Sequence, residues 1–61
     1  MDTLEMAHRL RTIAGEQDEI GYAMKRMSHQ SSAWRERAEE LSDDAVHART
    51  LAAQIEREAM P

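Results

Sequence analysis

Apolar residues recur along this chain at alternating steps of three and four. With Leu10 as position a of a heptad, the a positions are Thr3, Leu10, Gln17, Met24, Ser31, Ala38, Ala45, Ala52 and Ala59. The d positions are Met6, Ile13, Ile20, Met27, Trp34, Leu41, Ala48 and Ile55. Only Thr3, Gln17 and Ser31 interrupt the apolar character, and the phase holds from Thr3 to Ala59. Three to four sustained heptads already mark a helical seam of the coiled-coil kind. The pattern therefore predicts an all-α chain forming a single domain over residues 1–61. Asp2 and Glu5 have the spacing of a capping box that would start the first helix.

The seam changes texture along its length. Large side chains dominate d, whereas a is alanine four times in the C-terminal half. The N-terminal half adds a small stripe at e, formed by Ala7, Ala14, Gly21 and Ser28. Small stripes beside large ones let helices approach closely and interlock. Val46, Leu51, Ala53 and Met60 widen the apolar arc of the second half beyond what a two-stranded seam needs, which points to a bundle. The expected oligomer core is Met6, Leu10, Ile13, Ile20, Met24, Met27, Trp34, Leu41, Ala45, Ala48, Ala52 and Ile55.

Serines and a histidine interrupt the good helix formers near the centre. This stretch predicts a turn near residues 28–33, because serine competes for backbone hydrogen bonds and favours caps. The expected fold is a helical hairpin of two antiparallel helices that assembles into a homo-oligomeric bundle, a four-helix bundle if dimeric. A register whose paired residue numbers sum to 65 would set Ile13 against Ala52, Ile20 against Ala45 and Met27 against Ala38, with Arg9 facing Glu58. A register summing to 58 also alternates sizes but sets Glu16 against Asp44. The unbroken heptad phase supports an alternative, a single long coiled-coil helix of about 87 Å at 1.5 Å per residue. A third arrangement breaks again at Ser42.

Size and composition narrow the function classes. The chain has 61 residues and no cysteine, so neither disulfides nor a thiolate zinc site can reinforce a small core. A partner chain is the remaining means. The net charge of −4 disfavours general nucleic-acid coating. The N-terminal residues lack a signal-peptide pattern and no apolar stretch is long enough to span a bilayer, so a cytoplasmic protein is expected, and its small size with an Ala/Arg/Glu-rich composition suggests a bacterial or phage one. No nucleophile–base–acid set or phosphate loop has a recognisable spacing, and no enzymatic activity or cofactor is expected. Glu5 with His8 and Asp44 with His47 have an i, i+3 ligand spacing, but they face away from the seam and read as surface residues rather than a metal site.

Residues 22–37 differ from the rest. They hold both aromatics, Tyr22 and Trp34, together with His29 and the cations Lys25, Arg26, Arg35 and Arg37. With Glu36 as their only acid they carry +3, leaving −7 elsewhere. The plain reading is helix engineering: Lys25 and Arg26 complement a helix C-terminus, and Trp34 plugs the core. The functional reading is a candidate binding site formed by Tyr22, Lys25, Arg26, His29, Trp34, Arg35 and Arg37. Such a group suits an acidic protein surface or phosphates. The expected function is a non-enzymatic, self-associating helical protein that binds another protein as adaptor, inhibitor or assembly factor. The alternatives are an oligomeric sponge for a small anionic, nucleotide-type ligand and, less favoured by the charge, a small RNA-binding hairpin.

Overall fold

The computed structural model describes residues 1–27 and 32–59. Two helices, α1 (Thr3–Arg26) and α2 (Ser32–Ala59), pack against each other along their length. The result is a rod of 49 × 14 × 13 Å. It is a hairpin, so the single long helix is corrected: the chain reverses between Met27 and Ser32 even though the heptad phase runs through. The break at Ser42 is also absent, because α2 is continuous there. Serine in a helix interior costs only a few tenths of a kcal/mol, too little to end a helix supported by packing. The centre of the expected turn, residues 28–31, lies outside the described residues.

Local chemistry sets the ends of α1. The Asp2 carboxylate accepts from the backbone N–H of Glu5 at 2.7 Å, satisfying one of the donors a helix start leaves unpaired. Glu5 Oε1 accepts in turn from Arg9 at 3.1 Å, one turn along. Lys25 and Arg26 lie in the last turn, where cations complement the helix dipole.

The contact between the helices is built from the smallest residues. Ala7, Ala14 and Gly21 on α1 and Ala38, Ala45 and Ala52 on α2 are the buried residues, and all five alanines are fully covered. Both sets repeat every seven residues. At Gly21 an added Cβ would lie 3.3 Å from the Ala38 carbonyl oxygen and 3.7 Å from Leu41 Cβ. The backbones approach closely there because neither helix has a bulky group in the way.

This arrangement departs from the expected large-against-small register. Gly21 meets Ala38, so small residues face small residues. Ile13, Ile20 and Met27 stay 47%, 55% and 44% exposed, rather than covered by alanines of α2. Arg9 pairs with Glu5, not Glu58. Among the expected core residues only Ala45 and Ala52 are buried within one chain. Leu10, Met24, Leu41, Ala48 and Ile55 are half-buried, and Met6 and Trp34 are exposed. No large side chain is fully buried among the described residues.

Candidate functional site

The two long sides of the rod differ in chemistry. On one, position b of α1 meets position e of α2 through two ion pairs, Arg11 with Glu56 and Asp18 with Arg49. Hydrogen bonding to Glu56 and its charge raise the Arg11 pKa above the ordinary value. The hydrogen bond from Arg11 holds Glu56 below the usual carboxylate range, against a smaller opposing desolvation. These pairs are open to solvent, so they fix register more than they stabilise the fold.

The opposite side is apolar. There the d positions of α1 run beside the d and g positions of α2. Near the chain ends an open groove is lined by Met1, Met6, Leu10, Ile13, Leu51 and Ile55, with Arg9 at its edge. Towards the loop a second concavity is lined by Met24 and Leu41 with Arg37, Glu40 and Asp44. Leu51 is 47% and Trp34 43% exposed. Gln17 lies between Ile13 and Ile20 along this side, one turn from each. Its Oε1 is buried and has no hydrogen-bond partner among the described residues. A buried acceptor left unpaired costs more than an average hydrogen bond contributes, so the amide gains by turning towards a donor.

The candidate binding residues cluster only in part. Tyr22 is exposed, and the Arg26 guanidinium lies 5.9 Å from the centre of its ring, one turn along α1. Trp34 opens α2 on the apolar side. Arg35 shares position e with Arg49 and Glu56, on the ion-pairing side. Arg37 lines the concavity beside Glu40 and Asp44 on the apolar side. The two arginines that follow Trp34 in sequence are thus divided between the faces. Lys25 lies in the last turn of α1, and His29 falls outside the described residues. The carboxylate–histidine pairs Glu5 with His8 and Asp44 with His47 are all exposed, and no three potential metal ligands converge among the described residues.

Sequence reasoning had the ingredients of the apolar face but assigned them to the wrong contact. The seven-residue step linking Ala7, Ala14 and Gly21 matches the step linking Ala38, Ala45 and Ala52. Matching these two stripes closes the hairpin and leaves the large d residues uncovered. The ion pairs carried the same signal, since Arg11 and Asp18 are seven apart, as are Arg49 and Glu56.

No helix among the described residues is long and apolar enough to cross a membrane. No protein-family model, curated protein or solved structure matches the chain.

Proposed function

We propose that this protein acts by binding rather than by catalysis. Two hairpins pair through their apolar faces into a four-helix bundle, which presents the basic aromatic loop ends to a partner protein as adaptor, inhibitor or assembly factor. One observation supports the pairing above all: the hairpin is closed by alanines, while the large d-position side chains of both helices share one uncovered side. Covering an alanine methyl contributes only about 0.8 kcal/mol, so the alanine seam is a thin core for 61 residues. Exposed Ile13, Ile20 and Leu51 along this side, with charged residues gathered towards the loop, suit an association surface.

The loop end supports the second half of the reading. It carries +3 on a chain of net −4, and its partner should present acidic groups to Arg35, Arg37 and Arg26. Affinity capture with the intact oligomer, against the Arg35→Ala variant, tests it. The wild type should retain a partner that the variant loses. Recovery of the protein alone by both would count against a partner protein.

The contact between Arg26 and Tyr22 favours a second reading, a small anionic ligand with a planar base. A guanidinium beside an exposed ring offers charge and a stacking surface together. Thermal-shift measurements with nucleotides separate the two, because a specific ligand raises the melting temperature once its concentration exceeds the dissociation constant.

A further inference from the structure

We propose that the two hairpins pair antiparallel, with their loops at opposite ends, about a two-fold axis that passes beside Gln17. The inference rests on the self-pairing reading above and assigns it a direction, a register and a residue that selects both.

The first support is the order of side chains on the uncovered face of α1. Its d positions read Met6, Ile13, Ile20, Met27, the same in either direction. A two-fold axis perpendicular to the rod sets α1 against the α1 of the other copy, running oppositely. Met6 then meets Met27 of the second copy, and Ile13 meets Ile20. Leu10 meets Met24, and Gln17 meets Gln17. The centre of this pattern lies between Ile13 and Ile20, half a residue from Gln17.

The second support is that α2 has its centre at the same height. Antiparallel pairing of α2 with its copy matches Trp34 with Ile55 and Leu41 with Ala48, about a point midway between Leu41 and Ala48. Within one hairpin Gly21 abuts Ala38, Leu41 and Ser42. Four residues back along α1 is Gln17, and four residues on along α2 is the stretch around that midpoint. One axis therefore serves both helices, as an isologous dimer requires.

The third support is Gln17 itself. Its buried acceptor has no partner among the described residues. A primary amide both donates and accepts, so two glutamines meeting on a two-fold axis satisfy each other after rotation of the terminal torsion. The parallel alternative sets α1 against α2 of the other copy at equal height. Gln17 would then face the stretch around Ala45 and Ala48, where Asp44 can accept from the amide but its carboxylate has no hydrogen to give the unpaired Oε1. A single polar residue at an a position is a known means of fixing register and oligomer state at a cost in stability.

Charge agrees. Residues 16–19 and 39–44 hold seven carboxylates and no cation, a belt just on the loop side of the centre. Parallel pairing stacks two such belts at one height and two +3 loop ends at another. Antiparallel pairing shifts each belt towards the half that carries Arg9, Arg11 and Arg49.

The chain has no cysteine, so single-cysteine variants at exposed f positions accept one nitroxide each. Asp43→Cys and Arg57→Cys, measured by pulsed dipolar spectroscopy alongside sedimentation equilibrium, give the direction. Antiparallel pairing separates the two Arg57 positions by about 37 Å along the bundle and the two Asp43 positions by about 5 Å, at 1.5 Å per residue. The Arg57 distance should therefore be much the longer. Similar distances at both sites, with dimer mass, would overturn the antiparallel direction and leave self-pairing intact. Monomer mass with no dipolar signal would overturn self-pairing as well. Gln17→Leu should turn the single Arg57 distance into two, as parallel dimers become competitive. One unchanged long distance would remove Gln17 as the selecting residue.

Discussion

Replacing Ile13 by Asp separates a free apolar surface from one that is covered in solution. In an isolated hairpin the side chain is 47% exposed, so an aspartate there reaches water at once. The cost should then be the lost burial of the covered half alone, about 0.8–1.6 kcal/mol, with no change in mass. In the paired state the exposed half of the isoleucine is covered as well. Full burial of such a side chain is worth about 1.5–3 kcal/mol, so the half lost is about 0.7–1.4 kcal/mol per copy. An unpartnered carboxyl group in the closed interface adds at least about 1–3 kcal/mol per copy. Two copies change at once, and even the lower ends together give roughly 3 kcal/mol. That corresponds to a dissociation constant raised about a hundredfold. Sedimentation equilibrium of the variant should show monomer at concentrations where the wild type is paired. Urea unfolding should show its stability reduced, with the concentration dependence gone. Wild-type mass, with a midpoint shift no larger than that lone-hairpin cost, would refute the reasoning.

Three further outcomes follow from particular contacts. Gly21→Leu should destabilise the hairpin by about 1–3 kcal/mol in thermal or urea unfolding, because its side chain meets the Ala38 carbonyl where the helices approach closely; an unchanged midpoint would show that the alanine seam is not the closing contact. Glu56, whose pKa is depressed by Arg11, should add stability above its unfolded-state pKa and lose that contribution as pH falls through the folded value. The difference in urea midpoint between wild type and Glu56→Gln should therefore be present at neutral pH, vanish in acid and shrink in high salt. Arg35→Ala, on the ion-pairing side, should keep the mass of the assembly and alter stability by no more than about 0.5 kcal/mol while abolishing partner binding.

Helix content and the reversal near the middle were legible in the sequence, the first from the unbroken heptad and the second from the serines that cap and turn. The partition of the seam was not. Period alone places a and d on one face, but it does not say which half of that face a helix spends on its own partner. Alanine and glycine decide this, because only they permit the close approach seen at Gly21 and Ala38. The isoleucines and methionines must then point past the contact. The divided positions of Arg35 and Arg37 were hidden for a related reason. Neighbours in sequence around Trp34 fall on opposite sides of a helix, and which side is open depends on where the second helix lies.

The account depends most on the uncovered d face being occupied by a second copy. Sedimentation equilibrium of the wild-type chain across the micromolar range measures this directly. The predicted result is a reversible species of twice the 7.0 kDa chain mass that dissociates on dilution with loss of helix. A single 7.0 kDa species that stays fully helical and unfolds cooperatively at every concentration would contradict it.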